Sequence, residues 1–419
     1  MNQLQLVTFT GNDRLGVTAE VTAILAAHGV EILDIGQAVI HNTLTLGLLL
    51  EIHLDQVVNL DRALRDKAGL LGLSMRLENI SVDSYQAWVS QQGKDRHIIT
   101  LLARKITAQH LAELTAVAVK HQLNFDDITR LTGRVPLSQH LDKSESGDFH
   151  RKNKACVEFS ARGKPENIAQ LRADFLELSS RLDIDIAIQA DSLFRRNRRL
   201  VCFDMDSTLV EAEVIDELAK RAGVGEQVAA ITERAMRGEL EFNDSFRQRM
   251  ALLKGLDAEV LAEIAEKLPI TEGAEHLLRT LHSLGYKTAI LSGGFTYFAE
   301  RLQQKFGIDY VYANQLEIVD GKITGRVIGE IINGDKKAQL LKTLAEKENI
   351  RLEQVIAVGD GANDLPMLSV AGLGIAFRAK PLVKASAKQS ISQLGLDGIL
   401  YLLGLRDRET ETQPMVNSR

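Results

Sequence analysis

Residues 200–213 read LVCFDMDSTLVEAE, and the rest of the chain is organised around them. The apolar run Leu200 to Phe203, opening into Asp204, Asp206, Ser207 and Thr208, predicts a buried parallel strand that ends in a polar loop. Ligands gather at the carboxyl ends of such strands in open α/β sheets. Two carboxylates two residues apart can divide the work there. One attacks an electrophile and holds a cation, while the other carries a proton. Taken alone, the pair also fits a solvated turn. A calcium loop fails on spacing: counted from Asp204, Leu209 stands where Gly is needed and Ile215 where Glu is needed.

Two further strands are expected to end in the same way. Lys287 to Leu291 leads into Ser292, Gly293 and Gly294, and Val355 to Val358 leads into Gly359, Asp360, Asn363 and Asp364. Between them Lys336 and Lys337 open an expected helix reaching Glu348, and Asp320-Gly321 marks a hairpin within Leu316 to Ile328. In a doubly wound sheet these strand ends converge on one crevice. Asp204, Asp360 and Asp364 are hard oxygen ligands suited to Mg²⁺. Ser292 and the amides after it can cradle phosphate oxygens, and a lysine adds a point charge. Each piece also reads as an ordinary turn or helix start, but four in this order favour phosphoryl transfer. No P-loop competes, because Gly329 to Gly334 is followed by Asp335 where Lys is required. Glu213 to Leu268, rich in Ala, Glu and Lys, reads as a helical insert over the catalytic loop, and Gly273 to Leu284 as a helix.

Upstream, strands at Leu4 to Phe9, Ile32 to Ile40, Thr43 to Ile52 and Leu73 to Val82 alternate with helices from Val17 and over Val57 to Leu71. This is the βαββαβ order of a ferredoxin-like module. A second pass follows: strand His97 to Leu102, helix Ala108 to His121, strand Asn124 to Leu131, a polar loop Ser138 to Lys152, strand Lys154 to Ala161, helix Pro165 to Leu182 and strand Asp183 to Ala190.

The bulk numbers suit a multidomain soluble protein: 419 residues, 45% hydrophobic and 25% charged. A net charge of −6 gives no nucleic-acid footprint, and the cluster Arg195, Arg196, Arg198, Arg199 reads as a solvated linker face. The two cysteines, Cys156 and Cys202, have no metal-ligand spacing, and Cys202 is expected to be an inert core thiol. With no apolar run long enough to span a bilayer and no signal-peptide pattern, no membrane partner and a cytoplasmic location are expected.

From residue 200 onward the motif order resembles the haloacid dehalogenase superfamily, at Asp204 to Thr208, Ser292, Lys337 and Gly359 to Asp364. DMDSTLVEAEVIDELA, FNDSFRQRMALLKG, PITEGAE, LSGGFTYFAE and VGDGANDLPML are similar to the phosphoserine phosphatase family within it. That resemblance implies Mg²⁺-dependent hydrolysis of O-phospho-L-serine, the last step of L-serine biosynthesis, through an aspartyl-phosphate. It makes Asp204 the nucleophile and Asp206 the acid/base. Asp204, the Asp206 carbonyl and Asp360 would surround Mg²⁺, supported by Asp364 and Asn363. Ser292, Gly293 and Lys337 would hold phosphate, Glu213 the substrate ammonium and Arg249 its carboxylate, with Met236 and Phe242 lining a closing cap. Without the resemblance, Glu213 and Arg249 read as solvated helix charges.

The first upstream copy resembles the ACT family of amino-acid-binding domains, through Asp13 to Val17 and Gly29 to Ile32. In that family the loop holding Asp13, Leu15 and Gly16 meets a small effector, here L-serine; a tight turn with a helix cap explains the same residues. The second copy has Arg104-Lys105-Ile106 in place of that loop and reads as structural. The expected organisation is an ACT-like module at 1–90, a divergent one at 95–190 and an α/β phosphatase domain at 198–405. The phosphatase domain carries a helical cap at about 211–270, and 406–419 form a flexible tail. A homo-dimer or higher homo-oligomer is expected. The rival readings are a phosphatase or phosphotransferase for another small phosphomonoester and a non-catalytic amino-acid sensor. A sensor has no need of Asp204 and Asp206 beside a phosphate cradle.

Overall fold

The computed structural model describes residues 2–91, 95–134 and 153–410, and the chain divides into two compact bodies. In the first, strands β1 (Asn2–Asn12), β2 (Glu31–Ile40), β3 (Thr43–His53) and β4 (Leu73–Ile80) form an antiparallel sheet in the order β2-β3-β1-β4. Leu44, Leu46, Leu48, Leu50 and Ile52 alternate along β3, so one face of the sheet is apolar. That face is covered by Val17, Val21 and Leu25 of helix Val17–Ala27 and by Leu60, Leu64 and Ala68 of helix Val57–Leu71. The last strand stops at Ile80, short of the expected Val82. Ser81 caps a helix over Val82–Ser90 instead, its hydroxyl accepting from Ser84 N at 3.1 Å.

The second body opens with a sheet of the same plan. Its strands β5 (Arg96–Ala103), β6 (Asn124–Arg130), β7 (Ala155–Arg162) and β8 (Asp185–Ala190) run in the order β6-β7-β5-β8. Ile99, Leu101 and Phe159 face the helices Ala108–Lys120 and Ile168–Leu182. The other face is also buried: Leu102, Cys156 and Ala187 join the core that contains Ile399 and Leu402 of helix Gly398–Leu402. A ferredoxin-like sheet with both faces covered is a fixed part of the body it joins. The expected loop at 138–152 lies outside the described residues.

Strands β9 (Leu200–Phe203), β10 (Lys287–Phe295), β11 (Tyr310–Val319), β12 (Lys322–Ile328), β13 (Val355–Gly359), β14 (Leu373–Phe377) and β15 (Gln389–Ile391) form a seven-stranded sheet. Its order is β12-β11-β10-β9-β13-β14-β15, parallel except for the hairpin β11–β12. All four residues of β9 are fully buried at its centre. Its neighbours are β10 and β13, so the three motif-bearing strand ends lie side by side. Four helices, Val214–Ala222, Gly225–Met236, Phe242–Leu252 and Val260–Lys267, form the cap between β9 and β10.

Two expectations need correction. Arg195 and Arg198 are not a solvated face: they are 1% and 5% exposed, Arg195 lying in the turn Leu193–Arg196 and Arg198 just before β9. Arg195 pairs with Glu158, and Arg198 donates to Glu353 O and Gln189 Oε1. The chain also stays ordered past residue 406. A short helix, Asp407–Thr410, is tied down by Asp407, which accepts from Tyr401 Oη and Gly133 N. Residues 411–419 lie outside the described residues.

Candidate active site

A cavity of about 690 Å³ lies over the ends of β9, β10 and β13. Asp204, Asp206, Ser292, Gly293, Asp360 and Asn363 line it from the sheet, and Glu213, Met236, Phe242 and Arg249 from the cap. Lys337 and Asp364 stand behind this lining, both fully buried. Lys337 Nζ lies 2.9 Å from Asp204 Oδ1 and 2.7 Å from Asp364 Oδ1.

The backbone explains how these groups converge. Asp204 N continues the sheet by donating to Val358 O at 2.9 Å, which aims its carboxylate beyond the strand ends. Its Oδ1 accepts from Met205 N at 2.7 Å. Ser207 then takes a left-handed conformation, φ 54°, sparsely populated for a residue with a side chain and typical of functional turns. Its hydroxyl donates to Glu213 Oε1 at 2.7 Å, so the turn orients the acid that faces the cavity. Near the end of β10, Gly294 N donates to Ser292 Oγ at 2.9 Å. A Cβ on Gly294 would stand 2.7 Å from Met205 and 2.9 Å from Asp206 Oδ2, so only glycine lets this loop approach the carboxylates.

Charge is poorly balanced here. Burial, then Glu213 and Asp204, push the Asp206 carboxyl well above its usual range. Burial, with Asp204 and Asp364 beside it, raises Asp360 to about 8, and burial and Asp204 raise Asp364 to about 6. Burial opposes the Lys337 ammonium, yet Asp204 and Asp364 outweigh it and hold it charged. One lysine cannot neutralise this many carboxylates. Oxygens of Asp204, Asp360 and Asp364 lie within 4.8 Å of one another, an all-oxygen donor set in need of positive charge. The residues therefore fit a hard divalent cation.

Burial also raises Glu213, with Asp204 and Asp216 adding to it, and lowers Arg249. These opposite charges line the cap side of the cavity, and Arg249 Nε and Asp206 Oδ1 are buried without a hydrogen-bond partner. Ligand groups of complementary kind would satisfy them. Phe242 stacks on Phe246 at 6.3 Å, and Met236 Sδ meets Lys380 Nζ at 3.4 Å across the mouth.

Sequence reasoning missed several supports. Asn314, 2% exposed, donates to Gly293 O and accepts from Ile332 N, fixing the loop from Ser292 to Gly294. Asn333 caps helix Gly334–Lys347, which carries Lys337, and also donates to Asn243 Oδ1 of the cap at 3.3 Å. An asparagine closely preceding Lys336-Lys337 was a legible cap signal; Asn314 lies in a strand and carried none. In the first body Leu15 is fully exposed, Asp13 caps no helix, and Gly16 takes the left-handed N-cap position at φ 91°.

A mostly parallel sheet presenting Asp204, Asp206, Ser292 and Asp360 to one crevice, with Lys337 behind them on a helix, is in keeping with the haloacid dehalogenase-like hydrolases. That family matches residues 198–372, and the ACT domain family matches residues 3–78. A phosphoserine phosphatase of Mycobacterium tuberculosis is 39% identical over 97% of this chain and 94% of its own length. One from Streptomyces coelicolor is 39% identical over 97% and 93%. A HAD family hydrolase structure from Salmonella enterica superposes with TM-score 0.60 at 31% identity, covering 73% of this chain and 98% of that one. The chain belongs to the phosphoserine phosphatase family of haloacid dehalogenase-like hydrolases, with an ACT domain at its amino-terminal end.

Proposed function

We propose that the protein hydrolyses O-phospho-L-serine to L-serine and phosphate through an aspartyl-phosphate on Asp204. The observation that carries this reading is a single cavity lined at the sheet by Asp204 and Asp206 and at the cap by Glu213 and Arg249. An acid suits the substrate ammonium, and a planar guanidinium suits bidentate recognition of its carboxylate.

In the first half-reaction the Asp204 carboxylate attacks phosphorus and the bond to the serine oxygen breaks. Asp206, kept protonated by its surroundings, gives its proton to that oxygen. In the second, Asp206 takes a proton from water, which attacks the aspartyl-phosphate and frees Asp204 and phosphate. Ser292 and the Gly293 amide hold phosphoryl oxygens, and Lys337 places positive charge beside the nucleophile. Asp204, Asp360 and the Asp206 carbonyl, with Asp364 and Asn363 in support, would hold Mg²⁺. Bound there, it would supply positive charge to the phosphoryl oxygens while phosphorus is attacked. The setting is the cytoplasm, as a homo-dimer or larger homo-oligomer, with L-serine as an effector of the first module through Asp13, Leu15 and Gly16. Among the described residues no helix is long and apolar enough to cross a membrane.

The test is turnover of a panel of small phosphomonoesters with Mg²⁺ and after chelation. Phosphoserine should lead the panel, and chelation should abolish its turnover. Preference for a phosphomonoester lacking either the amine or the carboxylate would refute the assignment.

A further inference from the structure

The cap joins the core through two antiparallel segments. Val210 bridges Ile270, Glu211 N donates to Pro269 O at 2.8 Å, and Thr271 N donates to Leu209 O at 3.0 Å. Every residue by which the cap grips a substrate lies beyond this hinge. Glu211 and Glu272 flank it, one on each segment.

Two arginines hold these acids. Arg378, at the end of β14, donates from Nη1 to Glu211 Oε1 at 2.7 Å and from Nη2 to Glu272 Oε2 at 2.8 Å, spanning both segments with one guanidinium. Arg104 meets Glu272 as a parallel fork, Nη1 to Oε1 at 2.8 Å and Nη2 to Oε2 at 2.7 Å. Leu396 N fixes the Glu272 carbonyl at 2.7 Å. Burial alone would raise the Glu272 carboxyl, but Arg104 and Arg378, with Lys154 nearby, hold it below its usual range. The four side chains are between about a quarter and a half exposed, so no single bond is worth much. Their joint geometry is what counts. Arg104 follows β5, at the position in the second module that Asp13 to Gly16 occupy in the first. The second module thus spends its effector-loop position on the hinge of the cap.

We propose that Arg104 and Arg378 are positioning residues for substrate recognition: by clamping both hinge segments through Glu272 and Glu211, they set where Glu213 and Arg249 stand over Asp204 and Asp206. This rests on the phosphoserine reading above. The clamp acts on recognition beyond the hinge and leaves the nucleophile, the acid and the phosphate cradle in place. Its loss should therefore harm a substrate that uses the cap ligands and spare one that does not.

The experiment compares full-length wild type, Arg104→Ala and Glu211→Gln on phosphoserine and on p-nitrophenyl phosphate, which lacks amine and carboxylate. Both variants should lose about tenfold in kcat/KM on phosphoserine, the scale of one charge-assisted hydrogen bond, with p-nitrophenyl phosphate unchanged. Glu211→Gln frees one hinge segment without touching the second module, so it reports even if Arg104→Ala folds poorly. Parallel losses on both substrates in Glu211→Gln, or wild-type phosphoserine kinetics in both variants, would overturn the clamp. A wild type that cleaves p-nitrophenyl phosphate but not phosphoserine would instead overturn the substrate assignment. The clamp would then be judged by the same variant-to-wild-type ratios on the amino-acid phosphate that is cleaved.

Discussion

Arg249 and Glu213 place a cation and an anion on the cap side of one cavity, and under the proposed function they divide the recognition of an amino-acid phosphate between them. Arg249→Ala should raise KM for phosphoserine strongly and cost phosphoethanolamine, which lacks the carboxylate, far less. Steady-state kinetics on both substrates check this, and equal losses would assign Arg249 to the fold of the cap. Residues of this kind were the least legible in the sequence, because a Glu or Arg on a helix is most often solvated. Asp204, Asp360 and Asp364 were legible from strand-end loops, and the structure brings their oxygens within 4.8 Å of one another. The burial of Arg195 and Arg198 was not. A run of arginines carries no mark of its partner, and Glu158 and Gln189 come from strands of another module.

At the scale of elements, β9, β10 and β13 could be read because apolar runs end in chemistry-bearing loops. The strands β14 and β15 could not: Leu373–Phe377 runs into Arg378, Ala379 and Lys380 rather than an acidic or glycine-bearing loop, and Gln389–Ile391 is three residues long and begins with two polar residues. That last strand is held from outside its sheet. Gln389 accepts from Ile188 N on β8, and Asp185 accepts from Ser392 N and Gln393 N, each at 2.7 Å. Burial pushes Asp185 up to about 6, above the 3.8 expected of the unfolded chain. The folded state then binds the proton more tightly than the unfolded one. The contribution of this one group to stability is therefore greatest below about pH 4, falls as pH rises toward about 6, and is level beyond that. Asp185→Asn keeps an oxygen for both amides and removes the ionisation. Thermal denaturation should find it more stable than wild type at pH 8 but not at pH 4. A difference independent of pH would show that Asp185 is not charged at a cost in the native protein.

At the scale of the molecule, the two ferredoxin-like modules share a plan but not a role. The sheet of the second is buried on both faces, with Leu102, Cys156 and Ala187 in the core of the catalytic body. Removing residues 1–94 should leave a folded, active phosphatase. Removing 1–190 should expose that core and give aggregated or inactive protein, as gel filtration and activity would show. L-serine should inhibit the full chain, and inhibition should weaken in a chain of residues 95–419 and in Gly16→Val, whose side chain is strained at φ 91°. Couplings of this kind are typically about 1–3 kcal/mol. Identical serine titrations in all three would place serine at the catalytic cavity. The proposed function depends on covalent chemistry at Asp204. Acid quench during phosphoserine turnover with Mg²⁺, followed by peptide mapping, tests it most directly. The mapped protein should carry one hydroxylamine-sensitive phosphoryl group on Asp204, absent from Asp204→Asn, which should also be inactive. A phosphoryl group on another residue, or substantial turnover by Asp204→Asn, would contradict it.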